Sequence, residues 1–161
     1  TASRPTSLYA KTKRTAEKEL LRSPDTIILR LASVFGVSPS MRTDFLLNYF
    51  VHTAKTKKSI VVLNNNARRN YVHVADVADW IIYCIENPDK HIGKIKYLAV
   101  DNLSKVELAI KIKEHINDFS LEFLNGQDKI DERSYRRVPK NDFEAIRSVN
   151  YGIQELIKSY G

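Results

Sequence analysis

Glycine is scarce and scattered in these 161 residues, with only Gly36, Gly93, Gly126, Gly152 and Gly161. No two lie close enough to form the glycine-rich strand-to-helix turn whose backbone amides approach a pyrophosphate. A single cysteine, Cys84, excludes an internal disulfide. Set among Trp80, Ile81, Ile82 and Ile85, it reads as a core thiol and not as a nucleophile. No apolar run approaches the ~18 residues that a helical membrane span needs, and the start Thr1-Ala2-Ser3-Arg4-Pro5 lacks the apolar core of a signal peptide. A cytoplasmic chain without a membrane partner is expected. His52, His91 and His115 are scattered with no ligand spacing between them, so no metal is expected.

What is abundant is positive charge: 26 basic against 19 acidic residues give a net +7, which favours anionic partners. Nucleic-acid binders carry a basic recognition helix, a zinc-ligand set or aromatics interleaved with Arg and Lys on strands. None of these stands out, so no nucleic acid is expected. Lys55, Lys57 and Lys58 close an apolar helix, where cations complement the helix dipole as solvated residues. The hydrophobic share of 43% suffices for one domain with a core.

Patterning predicts alternating strands and helices. Thr6 or Ser7 can cap a helix running to about Arg22, stopped by Ser23-Pro24. Thr26 to Ala32 is apolar but for Arg30, as expected of a strand covered on both faces in a parallel sheet. A helix is predicted from Asp44 to about Lys55, with Phe45, Leu46, Tyr49 and Phe50 as its apolar stripe. Ile60 to Leu63 and Asn70 to His73 read as short strands around Asn64-Asn65-Asn66. A helix over Asp76 to Glu86 carries Trp80, and Asn87-Pro88 ends it; Asp76 is placed to cap it. Ile95 to Val100 reads as a buried strand, and Ser104-Lys105-Val106-Glu107 as a capping box opening a helix to about Ile116. Gly126 to Arg137 reads as a loop, followed by short helices over Asn141 to Arg147 and Gly152 to Ser159. The class is α/β, without repeats.

The chemically suggestive pair is Tyr9 and Lys13. Four residues apart on a helix, they share one face, where an ammonium beside a phenol stabilises the phenolate and brings it toward acid/base use. A lysine-rich helix produces this spacing by chance as well, as a solvated face. The surrounding residues point further. Pro5-Thr6-Ser7-Leu8-Tyr9-Ala10-Lys11-Thr12-Lys13 with Ala16-Glu17-Lys18-Glu19-Leu20 resembles the active-site helix of the extended short-chain dehydrogenase/reductases, the nucleotide-sugar epimerases and dehydratases. Ile28-Leu29-Arg30-Leu31-Ala32-Ser33-Val34-Phe35-Gly36 resembles the strand and turn that follow, and Ser38 to Asp44 with Asn48 the substrate-side loop and helix. Arg69-Asn70-Tyr71-Val72-His73-Val74-Ala75-Asp76-Val77-Ala78 is similar to the family's Arg-x-aromatic-x-His-Val-x-Asp-Val-Ala block.

The resemblance, UDP-glucose 4-epimerase-like, implies the C-terminal part of a Rossmann-like parallel sheet over residues 1–36, then a smaller nucleotide-sugar-binding lobe with returning α/β elements over 37–161. It implies catalysis by Tyr9 and Lys13, which also touch NAD, and binding of a nucleoside diphosphate-sugar substrate by Asn48, Arg69 and, by weaker resemblance, Arg133. An amide donates to a phosphate oxygen, and a guanidinium can bind it with two parallel hydrogen bonds. The glycine-rich loop and most of the NAD site would lie upstream, so the isolated chain is expected to be an inactive C-terminal half. The alternative is a non-catalytic sugar-nucleotide-binding module. A homodimer is plausible on the same resemblance. His73 and Asp76 are read as structural. Ser33 stands where many members carry asparagine, and the usual Leu-Gly-Phe has no counterpart around Ala145-Ile146-Arg147.

Overall fold

Ser7 opens the first element, its side chain accepting the Ala10 N–H at 3.1 Å to cap α1 (Leu8–Leu20). The computed structural model describes residues 7–64, 67–125 and 144–160. After α1 come β1 (Ile28–Leu31), β2 (Ser33–Phe35), α2 (Leu46–Lys57), β3 (Ser59–Asn64), β4 (Arg68–His73), α3 (Val74–Glu86) and α4 (Pro88–His91). β5 (Ile95–Leu98), β6 (Asp101–Ser104), α5 (Lys105–His115), β7 (Ser120–Asn125) and α6 (Val149–Ser159) complete the order. No described helix is long and apolar enough to cross a membrane.

The strands pair mostly in parallel. β1 runs beside β5 with Ile28 opposite Ile95, β2 beside β4 with Phe35 opposite His73, and β3 beside β7 with Ser59 opposite Ser120. Among the described residues only β4 and β6 are antiparallel, with Arg69 opposite Leu103. Ala32 separates β1 from β2, and its N–H still reaches the Leu98 carbonyl at 3.1 Å. The chain therefore passes from a β5 neighbour to a β4 neighbour within one extended stretch. This is the mixed α/β architecture, with parallel sheets, of a Rossmann-like fold.

One core unites Phe35, Leu47, Phe50, Val51, Tyr71, Leu108 and Ile112 with Val149, Ile153 and Leu156 of α6. A smaller one gathers Val72, Val77, Trp80, Cys84 and Leu98. Each fully buried aliphatic side chain stabilises by roughly 1.5–3 kcal/mol. Cys84 is 3% exposed, and burial pushes its thiol up, in keeping with a core thiol.

Several elements depart from the sequence-based expectation. The stripe of α2 is Leu47, Phe50, Val51 and Ala54, whereas Phe45 and Tyr49 are each 43% exposed. The sequence offers apolar residues on both sides, and packing against α6 and β3 selects the rotation. The cap of α3 is His73, whose ring accepts the Ala75 N–H at 3.2 Å, and not Asp76. Asp76 sits fully buried in the first turn and receives the Arg147 backbone N–H at 3.0 Å and its guanidinium at 2.6 Å. Residues 144–148 are not helical, so within the described residues α6 is the whole terminal helix. β1 is covered on one side only in part: Leu31 is 43% exposed, and among the described residues only β5 pairs with this strand. The loop read over residues 126–137, and most of the helix read over 141–147, lie outside the described residues.

Candidate functional site

Two adjacent hollows open where β2 and β4 end and α2 begins. The larger, about 260 Å³, is walled by Val34, Phe35, Phe45, Leu47 and Tyr71, with Ser33 as a polar group. The smaller, about 190 Å³, lies under the β2–α2 loop and is lined by Gly36, Ser38, Ser40, Arg42 and Asn48 among others. Hydroxyls and a guanidinium over an apolar floor suit a ligand that is polar on one side and flat or apolar on the other.

The loop between them is held by side chains from two helices. Asn48 of α2 accepts the Gly36 N–H on Oδ1 at 3.2 Å and donates through Nδ2 to the Arg42 carbonyl at 3.0 Å and the Gly36 carbonyl at 3.4 Å. Glu155 of α6 accepts the next amide, that of Val37, at 3.1 Å. At the outer rim the Arg42 guanidinium binds the Asp44 carboxylate, holding that carboxyl below the usual range, and lies 4.3 Å over the Phe45 ring.

Arg69, Tyr71 and His73 alternate along β4 and so share one face. Burial pushes the Tyr71 phenol far above its ordinary value, and the charge of Arg69 opposes that shift. His73, 1% exposed, is enclosed by the Phe35 ring at 5.3 Å and the Tyr151 ring at 5.6 Å. Its Nδ1 takes the Ala75 N–H, so the ring proton sits on Nε2, 3.0 Å from Glu155 Oε2. That geometry serves packing and capping.

Tyr9 and Lys13 lie on the exposed surface of α1, with Lys13 Nζ 5.7 Å from the Tyr9 ring centroid. Neither lines either hollow. α1 buries none of its residues and is fastened by Glu17, whose carboxylate receives Arg30 Nε at 2.8 Å and Nη2 at 2.6 Å. Of the residues singled out in the sequence, Asn48 borders a hollow and Arg69 lies on β4 two residues before Tyr71, a wall of the larger one, whereas Tyr9 and Lys13 form a separate pair. Arg133 lies outside the described residues. Glu155 and Tyr71 were not singled out. Among the described residues no group of three His, Cys, Asp or Glu side chains can hold a metal ion.

Parallel strands, a helix bearing a tyrosine and a lysine one turn apart, and a polar loop over an apolar hollow define a Rossmann-like α/β protein of the extended short-chain dehydrogenase/reductase type. The NAD dependent epimerase/dehydratase family matches residues 1–98, and the chain belongs to that family. Among solved structures, dTDP-glucose 4,6-dehydratase from Bacillus anthracis, in complex with NAD, superposes with a TM-score of 0.78 at 20% identity, over 99% of this chain and 53% of that one. UDP-glucose 4-epimerase from Thermus thermophilus, also with NAD, gives 0.78 at 17% identity, over 98% and 55%. L-threonine dehydrogenase from Phytophthora infestans gives 0.81 at 14% identity, over 99% and 57%. The chain thus spans about half the length of these structures, and at such identities the likeness is one of fold.

Proposed function

We propose that this chain is the part of an NAD-dependent nucleotide-sugar epimerase or dehydratase that receives the nucleoside diphosphate-sugar and carries the proton-transferring tyrosine. The observation behind this reading is the Tyr9–Lys13 pair on one exposed face of α1 in a chain of this family. Tyr9 Oη takes the proton of a sugar hydroxyl during oxidation to a transient keto-sugar, and Lys13 steadies the phenolate. The donor set on α1, a phenol and an ammonium, fits the ribose hydroxyls of NAD, and Lys13 would hold them. When bound, NAD supplies the hydride acceptor for this oxidation. Arg69 binds the diphosphate as a two-pronged donor, with Arg133 as a second candidate. Asn48 forms the floor of the loop, its amide already holding Gly36 and Arg42.

The spacing of the chain's five glycines is too wide for a pyrophosphate cradle, so we assign that part of the site to sequence outside these residues. The isolated 161 residues are accordingly expected to bind sugar nucleotide without turnover. The same lack favours, as the second reading, a binding module without catalysis.

Calorimetric titration with UDP-glucose and with NAD, separately, tests both. UDP-glucose should bind, Arg69→Ala should weaken it about 10- to 100-fold, the worth of a charge-assisted pair, and Tyr9→Phe should change it little. NADH formed from NAD and UDP-glucose by this chain alone would contradict the expected lack of turnover. Absence of sugar-nucleotide binding would remove the substrate assignment.

A further inference from the structure

The loop over the smaller hollow is shaped from behind by a helix that contributes nothing to its lining. Two successive amides at the loop's start, Gly36 and Val37, are taken by Asn48 of α2 and Glu155 of α6. The second contact joins residues 118 apart in sequence. A single oxygen, Glu155 Oε2, receives both the Val37 N–H at 3.1 Å and the proton on His73 Nε2 at 3.0 Å. His73 presses against the same turn, since a Cβ on Gly36 would lie 2.6 Å from its Nε2. Gly36 has φ +114°, a conformation that side chains rarely adopt. The turn is therefore fixed at three points: Asn48 below, His73 beside it and Glu155 behind.

We propose that Glu155 is a positioning residue, which holds the loop from Val37 to Asp44 in the shape that receives the ligand. The ligand part of the proposal rests on the sugar-nucleotide reading above. Ser38, Ser40 and Arg42 line the hollow from a backbone whose Val37 amide donates to Glu155, so loss of the carboxylate oxygen releases that end of the loop. It also leaves the ring N–H of a 1% exposed histidine without its acceptor. A glutamine carbonyl can accept both hydrogens, so the role requires an acceptor oxygen at that point and not the charge.

Amide hydrogen exchange compares Glu155→Ala and Glu155→Gln with the parent chain, alongside UDP-glucose titration. In Glu155→Ala, exchange at Val37 to Asp44 should rise about 10-fold, as expected for one lost hydrogen bond, and UDP-glucose affinity should fall by a similar factor. The amides of Ile60, Val62, Leu108 and Ile112 should keep their rates, and Glu155→Gln should restore both readouts to within about 2-fold. Unchanged loop exchange, or equal acceleration at every amide, would overturn the proposal, because Glu155 would then add nothing or only general stability. A released loop with undiminished UDP-glucose affinity would overturn its ligand part. If the parent chain binds no UDP-glucose, the functional reading fails while the exchange comparison still decides the positioning role. Should Glu155→Ala not fold, Glu155→Asp, one methylene too short to reach Val37, puts the same question.

Discussion

Tyr71 is 1% exposed, and its hydroxyl finds no hydrogen-bond partner among the described residues. An unpaired buried hydroxyl costs about 1–3 kcal/mol, so a chain that keeps one beside a hollow tolerates a local loss. Tyr71→Phe should raise stability by about 1 kcal/mol, a gain of about 2–4 °C in Tm for a chain of this size. A loss of stability instead would mean that the hydroxyl is satisfied in the folded protein. If the variant is stabilised and also binds UDP-glucose more weakly, the hydroxyl serves the ligand. Residues with a distinctive spacing were legible in the sequence, Tyr9 with Lys13 and Arg69 ahead of its aromatic among them. The burial of the Tyr71 hydroxyl and the role of Glu155 were not, because both come from partners that only folding brings near. The sequence marks Asn48 as a donor, and in the structure its Nδ2 donates to the Gly36 and Arg42 carbonyls of the loop.

At the scale of elements, helix boundaries were readable where capping chemistry is local. Ser7 caps α1, and Ser104 with Glu107 forms the capping box that opens α5. β6 and β7 were not read as strands, since each gains its ladder from a distant partner, β4 and β3. The same dependence on partners set the rotation of α2 and drew Asp76, read as the α3 cap, to Arg147. The docking of α6 follows from one residue. A Cβ on Gly152 would lie 2.3 Å from Phe35 Cε2 and 3.1 Å from His73 Cδ2. Phe35 is 2% exposed in the main core, so its ring cannot swing clear. Gly152→Ala should therefore cost about 1–3 kcal/mol by overpacking, despite the better helix propensity of alanine. Denaturant unfolding measures it, and a neutral or stabilised variant would show that α6 is held loosely.

For the molecule as a whole, the Tyr9–Lys13 helix is attached with little apolar burial. Leu8 and Leu20 remain 78% and 53% exposed, and α1 joins the sheet through Glu17 and Arg30 of β1, which also binds the Tyr97 hydroxyl of β5. This ion pair is two-pronged and only 16–20% exposed, unlike a solvated surface pair of small worth. The Arg30 guanidinium holds the Glu17 carboxyl below its usual value near 4.5. A carboxylate with a lowered folded value stabilises the fold at pH above that usual value and loses its contribution as pH falls below it. The net charge of +7 adds repulsion as carboxylates become protonated. Glu17→Gln should thus cost about 1–2 kcal/mol at pH 7, with the greatest loss of amide protection in α1. The difference from the parent chain should shrink steadily below pH 4.5 as Glu17 takes up its proton. Melting curves and hydrogen exchange at pH 7 and at acid pH measure this. A penalty that persists unchanged in acid would assign the attachment of α1 to packing and not to the ion pair.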